Sequence, residues 1–384
     1  MRQPARNSAA ADEIARERSR KPPIHTEIGG FHVCSRGESY RLPVSHKPSI
    51  NPARWTPPPV DALPDFPSAE LTIVPMPGDA PEDVVVGADG ALWTGLVDGR
   101  IVRIAPDGSI DVVGDTGGRP LGLHVARDGR LLVCDSYRGL LSLDPGTGAL
   151  EVLVPDIDGR PLRFCSNVTE TADGTIYFTE STSSFHYEHF RAAILEARGD
   201  GGLYKLATDG TVSTLRDGLY FANGVTVTAD GTALVFAETQ GRRLSKYWLS
   251  GPQGGTITPL AVNLPGMPDN ISTGADGRIW VAFVTPINAA AEWLAPRPTI
   301  LRQLVWRLPE ALQPQMPLEV WAVAFDPDSG AAVAGVRGRH RQFGQVTGLV
   351  EYDGRLWMSS IGVPALAHCA LPSAGSRRLS NSHL

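Results

Sequence analysis

The stretch LYFANGVTVTADGTALVFAETQGRRLSKYWLS, residues 219–250, decides the fold because it reads as three short strands separated by two turns. Residues 225–228 (VTVT) alternate apolar and polar side chains, the period-two pattern of a strand with one buried face. Asp230-Gly231 follows, and this dipeptide favours the positive φ angles of a tight hairpin turn. The chain then returns as an apolar strand over residues 233–238. The unit is therefore an antiparallel hairpin with a third strand behind it.

The same hairpin pattern occurs six times along the chain, each time as Asp-Gly followed by an apolar strand. The six pairs are Asp89-Gly90, Asp128-Gly129, Asp173-Gly174, Asp230-Gly231, Asp276-Gly277 and Asp353-Gly354. Their spacing of about 40 to 60 residues, with one longer gap, is the length of a four-stranded sheet with its loops. We therefore predict an all-β fold, a six-bladed β-propeller.

The predicted domain organisation is one propeller with two flanking segments. Residues 1–68 form an N-terminal extension, in which the prolines between residues 48 and 67 favour an extended strap rather than a strand. Residues 69–373 form the propeller, and residues 374–384 form a C-terminal tail. The strand near Leu71 to Pro75 is either a first outer strand or the strand that completes the last blade. The six blades are expected at 82–106, 121–145, 167–206, 223–249, 269–308 and 346–371.

Two insertions interrupt this pattern. Residues 181–201 contain FHYEHF and a helical run, and residues 286–300 contain NAAAEWL followed by two prolines. Both follow the second strand of a blade, so they lie on the face opposite the Asp-Gly turns. We expect them to cover the axis as a lid. The aromatic side chains of these insertions favour an apolar or aromatic small-molecule ligand, although packing onto the ring explains them equally well.

Composition and charge exclude several classes of protein. The net charge is −6 and no long basic run occurs, which argues against nucleic acid as a partner. The four cysteines, at positions 34, 134, 165 and 369, have no metal-ligand spacing and are expected to be buried small apolar residues. No stretch of 18 apolar residues occurs, and the first residues lack a signal-peptide core. The prediction is a cytoplasmic protein with no membrane partner.

Candidate metal ligands are found by counting back from the Asp of each hairpin. Seven residues back lie Glu82, Leu121, Ser166, Asn223, Asp269 and Val346, and six back lie Asp83, Gly122, Asn167, Gly224, Asn270 and Thr347. In equivalent blades these positions meet at the axis. The oxygen-rich set of Glu82, Asn223, Asp269 and Asn270, with either Ser166 or Asn167, suits Ca²⁺. The alternative is that each side chain only bonds local backbone, as Asn and Asp often do at the starts of strands.

Candidate catalytic groups lie at the ends of second strands and on the lid. Glu180 and Glu238 lie at the ends of second strands, where a carboxylate can position a water, although residues at such places often only stabilise turns. His124 lies on an inner strand, where packing between blades is the alternative to catalysis. His186 lies on the lid, where a loop histidine is commonly solvated. No Gly-x-Ser-x-Gly elbow occurs, so no covalent nucleophile is indicated.

Three motifs identify a family resemblance. FANGV at 221–225, AET at 237–239 and LPGMPDNI at 264–271 resemble the strictosidine synthase-like proteins, including the adipocyte membrane-associated members, over about residues 70–371. The chain is more distantly similar to paraoxonases and gluconolactonases, and that resemblance implies a six-bladed propeller with an axial calcium.

Carried over residue by residue, the resemblance matches Asn223, Asp269 and Asn270 to calcium ligands of paraoxonase-like enzymes, and Glu82 to their acidic ligand from the first blade. At the third blade the relatives have Asn-Asp where this chain has Ser166-Asn167. The catalytic glutamate of strictosidine synthase falls near Thr347, and the paraoxonase histidine falls near Leu121, so neither catalytic residue is present.

These observations leave three hypotheses for the function. The first is a calcium-dependent hydrolase of a small lactone or ester, in which the axial cation is the electrophile. The second is a bond-forming or cyclising enzyme of specialised metabolism. The third is a non-catalytic binding propeller with a structural cation. The sequence does not indicate an oligomeric state.

Overall fold

Six four-stranded antiparallel sheets make up most of residues 47–373, the part of the chain that the computed structural model describes. In chain order the strands are β1 (Thr72–Pro75), β2 (Val85–Val86), β3 (Leu92–Gly95), β4 (Arg100–Ile104), β5 (Ile110–Asp115), β6 (Pro120–Val125), β7 (Leu131–Asp135), β8 (Gly139–Leu143), β9 (Leu150–Val154), β10 (Asp156–Ile157), β11 (Arg160–Pro161), β12 (Cys165–Glu170), β13 (Ile176–Glu180), β14 (Gly201–Leu206), β15 (Val212–Leu219), β16 (Ala222–Val227), β17 (Ala233–Glu238), β18 (Arg243–Trp248), β19 (Ile257–Ala261), β20 (Gly266–Thr273), β21 (Ile279–Pro286), β22 (Glu319–Phe325), β23 (Ala332–Arg339), β24 (Val346–Tyr352), β25 (Arg355–Ser360) and β26 (Ala365–Ala370).

Consecutive strands form each sheet, which confirms the predicted six-bladed propeller. Blades 1 to 5 are β2–β5, β6–β9, β12–β15, β16–β19 and β20–β23, and blade 6 is β24–β26 completed by β1. The pairing of Thr72 with His368 and of Pro75 with Ala365 joins the two ends of the ring. This pairing covers the outer edge of β26 and links the first strand to the last blade, so that the ring is closed. Residues 1–46 of the predicted extension 1–68, and the whole predicted tail 374–384, lie outside the described residues.

The hydrophobic core is divided among the interfaces between blades. One buried apolar cluster lies between each pair of neighbouring blades, six clusters within the described residues. In β7, for example, Leu131 and Val133 pack towards blade 1, whereas Leu132 and Cys134 pack towards blade 3. Because successive side chains of a strand point to opposite faces, the second strand of a blade can be buried on both sides. The thiols of Cys134, Cys165 and Cys369 are buried and free, as expected for small apolar side chains.

The Asp-Gly turns connect the first and second strands of each blade, as predicted. All six glycines have φ between +68° and +85°, a region that favours glycine. In the first five blades the Asp side chain accepts a backbone hydrogen bond from the residue two positions on, for example from Thr232 to Asp230 at 3.1 Å. The sixth turn is shorter, because Tyr352 pairs directly with Arg355, and there Asp353 also has a positive φ of 51°.

Two insertions cover one face of the ring, and we call residues 181–200 and 287–318 together the lid. The first contains a 3-10 turn (Tyr187–His189) and helix α1 (Phe190–Glu196). The second contains α2 (Ala289–Leu294), α3 (Thr299–Arg307) and a 3-10 turn (Glu310–Leu312). It is longer than predicted, and the prediction that blade 5 ends near residue 308 is wrong. The apolar run 299–308 resembles a strand in sequence but is helical, and the third strand begins only at Glu319.

The strap, residues 47–71, runs from the lid to β1 without forming a strand. Near the lid, the backbone N–H of Ala53 donates to Glu196 O at 2.7 Å. Further along, Leu63 and Phe66 pack on the cluster between blades 4 and 5, and Pro67 O accepts a hydrogen bond from Arg337 N at 3.0 Å. The strap therefore joins the lid to the outer strands of the ring.

Candidate metal centre on the ring axis

β-Bulges at equivalent places turn two consecutive residues of each inner strand towards the axis. In blades 2 to 6 the strand pairing skips two residues: Leu121-Gly122, Ser166-Asn167, Asn223-Gly224, Asp269-Asn270 and Thr347-Gly348. In blade 1 the equivalent pair, Glu82-Asp83, precedes β2. A bulge leaves its residues out of the ladder and redirects their side chains. The six pairs form two layers, which we call the upper layer (first residues) and the lower layer (second residues).

In blade 6 the sequence count is one residue out of register. Counting back from Asp353 indicated Val346, but Val346 is paired with Ser360 and the bulge lies at Thr347-Gly348. The reason is the short sixth turn, in which Asp353 comes one residue nearer to the strand than in the other blades. Thr347 therefore belongs to the upper layer, and Gly348 to the lower layer.

The lower layer alternates polar residues with glycine around the ring. Asp83, Asn167 and Asn270 come from blades 1, 3 and 5, and glycines come from blades 2, 4 and 6. Asn167 Nδ2 donates to Asn270 Oδ1 at 3.0 Å and to Asp83 Oδ2 at 3.4 Å. A Cβ added at Gly224 would lie 2.4 Å from Ile271 N, so the glycine leaves room for the neighbouring strand. The three polar side chains therefore close the axis below the upper layer.

Buried backbone amides also hold the lower layer in place. Asp83 accepts from Val84 N and Leu123 N, both at 2.9 Å, and Asn167 Oδ1 accepts from Val225 N at 3.1 Å. Despite these bonds, burial raises the pKa of Asp83 to about 7. Asn167 and Asn270 thus form hydrogen bonds within the lower layer. Asn270 Nδ2 also donates upwards to both carboxylate oxygens of Glu82, at 3.3 Å each.

The upper layer carries two buried carboxylates and an amide. Glu82 and Asp269 are 5% and 6% exposed. Asn223 lies between polar neighbours: it accepts from Ser166 Oγ at 2.9 Å and donates to Asp269 Oδ1 at 2.6 Å. Burial raises the pKa of Asp269 to about 8. Burial, and next the charge of Asp269, raise the pKa of Glu82 well above its usual range.

A cavity of about 60 Å³ lies against the upper layer. Its polar floor contains five of the six upper-layer residues together with Thr239, and Leu121 is the exception. Its walls are mainly apolar, with Phe164, Tyr187, Phe190, Ile194, Phe221, Met267, Val284, Met316 and Ile361 among the lining residues. Such a volume holds a few water molecules or a small ligand group. Three of the wall residues, Tyr187, Phe190 and Ile194, come from the first lid insertion.

The upper layer fits a hard cation. Its ligand atoms are oxygens, and neither Glu82 nor Asp269 forms an ion pair with a cationic side chain among residues 47–373. Two unpaired buried carboxylates are costly in free energy unless a cation or protons neutralise them. Within residues 47–373, no group of three or more His, Cys, Asp or Glu is arranged to hold a metal ion, so the candidate set depends on amide and hydroxyl oxygens beside its two carboxylates. Mixed carboxylate and amide oxygens are typical Ca²⁺ ligands.

Glu82, Asn223 and Asp269 are the residues that would hold Ca²⁺ in this cavity. The sequence left open whether Ser166 or Asn167 contributes from blade 3. The structure places Ser166 on the cavity floor and Asn167 in the lower layer. Asn270 likewise lies below, where its amide orients Glu82.

The structure does not bring Glu180 and Glu238 to the cavity. Glu180 accepts hydrogen bonds from Arg160 at 2.8 and 2.9 Å and from Arg163 N at 3.0 Å. Glu238 accepts from Arg243 Nε at 2.5 Å and from Tyr220 N at 2.9 Å. Strand alternation explains this placement, because the following residue in each case points to the axis instead.

Those following residues are Ser181 and Thr239, which sequence analysis did not select. Ser181 Oγ donates to Ser166 Oγ at 3.0 Å, and Asn223 Nδ2 donates to Thr239 Oγ1 at 3.1 Å. Their position directly after a strand-end glutamate was a signal that could have found them. Both support upper-layer residues.

The candidate histidines also lie away from the cavity lining. His124 lies in the β6 ladder opposite Leu132, and burial lowers its pKa to about 4. His186 lies on the lid, where Nδ1 is 2.7 Å from Ser136 O and the ring stacks on Tyr137 at 4.7 Å. Neither ring is among the cavity-lining side chains.

Arg119 is a further residue near the site that the sequence did not indicate. Its side chain is 2% exposed, and its three guanidinium nitrogens have no hydrogen-bond partner among residues 47–373. It lies 4.5 Å from the ring centroid of Tyr187, on the lid, and its charge favours the ionised form of Glu82, lowering the pKa that burial raises. Only the tertiary structure brings this cation close to the axis.

Comparison with known proteins identifies relatives of the chain. Family models described as strictosidine synthase and strictosidine synthase-like, N-terminal, match residues 167–252 and 68–104. The rat adipocyte plasma membrane-associated protein is 30% identical over 321 residues, 77% of this chain and 84% of that protein. Strictosidine synthase-like 6 of Arabidopsis thaliana is 36% identical, and the match spans 55% of this chain and only 58% of that protein.

Solved structures share the fold at lower identity. A gluconolactonase from Xanthomonas campestris superposes with a TM-score of 0.59 at 19% identity, covering 86% of this chain and 99% of that chain. Regucalcin from Agrobacterium tumefaciens, a calcium-binding protein, superposes with a TM-score of 0.57 at 16% identity, covering 81% and 96%. Likeness at this level of identity shows the propeller fold alone.

No helix within residues 47–373 is long and apolar enough to span a membrane. The repeats, the bulged inner strands and the extended match to the adipocyte protein all point to one family. The chain belongs to the strictosidine synthase-like family of six-bladed propellers.

Proposed function

We propose that this protein is a calcium-dependent hydrolase of a small lactone or ester. The observation that carries the proposal is the cavity floor, where Glu82 and Asp269 are buried, Asn223 donates a hydrogen bond to Asp269, and neither carboxylate forms an ion pair within the described chain. The gluconolactonase and the calcium-binding regucalcin that share the fold are consistent with this chemistry.

The proposed reaction is carbonyl hydrolysis on this floor. A bound Ca²⁺ would supply a Lewis acid that polarises the substrate carbonyl and stabilises the negative charge developing on its oxygen. The surrounding residues keep the ligand atoms in place: Ser166 holds Asn223, and Asn270 holds Glu82. This preorganisation reduces the reorganisation needed during the reaction.

The proton of the attacking water needs an acceptor at the cavity. Glu82 and Asp269 are the carboxylates among the described residues that line it, so one of their oxygens is the proposed acceptor. Glu180 and Glu238 are unsuited to this role because arginines occupy their carboxylates. The apolar walls would bind the carbon skeleton of the substrate and limit access of bulk water.

A bond-forming reaction is the second candidate, favoured by the match to the strictosidine synthase family model. In the upper layer of blade 6 this chain has Thr347, whose Oγ1 donates to Glu82 O at 2.5 Å. A hydroxyl in that position supports the cavity floor but provides no carboxylate for acid-base chemistry. We therefore favour hydrolysis.

The test combines calcium-dependent melting with hydrolysis assays. We expect Ca²⁺ to raise the melting temperature, with a stabilisation of about 2.7 kcal/mol when its concentration is 100 times the dissociation constant. A panel of lactones and aryl esters should be hydrolysed with Ca²⁺ and not with excess chelator. Asp269→Asn should lose both effects, whereas Glu180→Gln, a matched acid-to-amide control away from the cavity, should keep both.

Two results would decide against the proposal. If Ca²⁺ stabilises the wild type but no lactone or ester is hydrolysed, the cation is structural or serves bond-forming chemistry. If chelator changes neither melting nor activity, the upper layer does not bind calcium.

A further inference from the structure

The lid exposes an unusual concentration of large apolar side chains. Of the thirteen exposed large hydrophobic residues among residues 47–373, five lie within residues 293–312. We call them the lid apolar face: Trp293 (57% exposed), Ile300 (54%), Leu304 (51%), Leu308 (39%) and Leu312 (68%). Single exposed apolar residues are ordinary on soluble proteins, but a concentrated group marks an interaction surface.

Helix α3 carries apolar side chains on its outward side as well as on its inward side. Its buried residues are Arg302 and Trp306, and its outward face presents Ile300 and Leu304, continued by Leu308 just after the helix. These three apolar residues follow at intervals of four and therefore share one side of the helix. A helix packed on a protein core normally turns its apolar side inward and its polar side outward. Here Trp306 packs inward in a buried apolar cluster, and a second apolar row still faces outward.

Specific inward contacts fix this orientation. Arg302 Nη1 donates to Leu195 O at 2.9 Å, and its other terminal nitrogen donates to Ala53 O. Trp306 Nε1 donates to Pro48 O at 2.7 Å. These bonds tie the inner side of α3 to the strap and to α1. Rotating the helix to bury its leucines would break them, so the outward apolar side is a built feature of the lid.

Cationic side chains surround the lid apolar face. Arg297 lies 3.6 Å from the ring centroid of Trp293, and Lys47 Nζ donates to Leu308 O at 2.7 Å. Arg307 is exposed in the last turn of α3. None of these three cations forms an ion pair within the described chain.

The acids near this face are already paired, unlike its cations. Glu310 lies 3.3 Å from Arg191, and Glu292 lies 3.2 Å from Arg242. The surface around the lid apolar face is therefore positively charged on a chain whose net charge is −6. This charge complements an anionic surface.

We propose that the lid apolar face docks on the surface of an anionic lipid bilayer. Exposed Trp and Leu side chains flanked by unpaired Arg and Lys have the chemistry of a helix lying in the interface of a membrane. Docking would bring the lid side of the ring, which covers the cavity, to the lipid surface. The inference differs from the sequence-based expectation of no membrane partner, because only the tertiary structure shows which side of α3 faces outward.

Vesicle flotation with the full chain tests the proposal. We expect the wild type to float with phosphatidylcholine vesicles containing about 30% phosphatidylserine, and to be released by salt that screens the charges. Ile300→Glu with Leu304→Glu should weaken this binding at least about tenfold, because the two substitutions place negative charges on the side of α3 that would enter the bilayer. Val152→Glu with Ile257→Glu, exposed apolar residues on outer strands, is the matched control and should bind as the wild type does.

Size-exclusion chromatography and thermal melting accompany the flotation. If the wild type is a monomer, and both double variants melt at the same temperature as the wild type, the result supports a lipid surface as the partner of the lid apolar face. The proposal is overturned if the wild type does not float with the anionic vesicles, or if both double variants lose binding equally. A wild-type dimer that Ile300→Glu with Leu304→Glu converts to a monomer would also overturn it, because the face would then bind a second copy.

Discussion

Replacing Gly224 by Ala tests the two-layer arrangement at the ring axis. The Cβ would lie 2.4 Å from Ile271 N, 2.7 Å from Asn270 Cα and 2.8 Å from Asn270 C. These are backbone atoms of the neighbouring blade and cannot rotate away as a side-chain end could. The inner strand of blade 5 would have to shift by several tenths of an ångström. Overpacking of this kind costs about 1–3 kcal/mol, and the rigid neighbours place this variant near the upper end of that range.

The matched control is Gly231→Ala in the same hairpin. Gly231 has φ of +69°, and an added Cβ would meet no atom within 4 Å. Its cost is therefore conformational only, about 1 kcal/mol. We expect Gly224→Ala to lose about 3 kcal/mol of unfolding free energy, and Gly231→Ala about 1 kcal/mol.

The two variants should also differ in their response to calcium, measured by thermal melting with Ca²⁺ and with chelator. Gly224→Ala displaces the Asp269-Asn270 bulge, so the gain in stability on adding Ca²⁺ should shrink. Gly231→Ala lies at the opposite end of the hairpin and should leave that gain unchanged. Equal stability of the two variants, or an undiminished calcium response in Gly224→Ala, would refute the close contact between the inner strands.

Three further predictions concern charged or titratable groups away from solvent-exposed turns. Because burial lowers the pKa of His124 to about 4, His124 binds a proton between pH 6.5 and 4 only in the unfolded state. The unfolding free energy should therefore fall by up to about 3 kcal/mol as the pH is lowered across that window. Urea unfolding of His124→Gln should lack this pH-dependent loss of stability. Arg160→Met leaves the fully buried Glu180 without its cation and should cost about 3 kcal/mol, whereas adding Glu180→Gln should restore most of the loss; no restoration would contradict this reading of the pair. In the single variant and in the double variant, kcat/KM per folded molecule should stay within about threefold of wild type. A loss of about a hundredfold in the double variant, which lacks the carboxylate, would instead make Glu180 a general base. Arg119→Met removes a buried cation whose guanidinium has no hydrogen-bond partner within the described chain, so stability in chemical denaturation should stay equal or rise. Hydrolysis of the proposed esters should fall, because the charge of Arg119 favours the ionised form of Glu82; a large loss of stability would instead show a structural role for Arg119.

Local patterns in the sequence predicted the fold and most of the axial set. The Asp-Gly turns and alternating strands depend on short-range backbone conformations, which residue type alone restricts, and six repeats in register implied a closed ring. The fixed distance from a turn to a bulge then located Glu82, Asn223 and Asp269. The same count failed by one residue in blade 6, because the Tyr352–Arg355 turn is shorter and only the pairing shows this.

Side-chain direction and long-range contacts were decided by the tertiary structure. Strand twist and alternation direct Glu180 to Arg160 instead of to the cavity, and the adjacent residue, Ser181, faces the axis in its place. The run 299–308 is apolar enough for a strand, yet it forms α3, because contacts of Arg302 with the strap and α1 hold it as a helix over the ring. The outward apolar side of α3 follows from those same contacts. Residue type thus determined the repeating unit, whereas contacts between distant segments determined which side chains reach the cavity and which face the solvent.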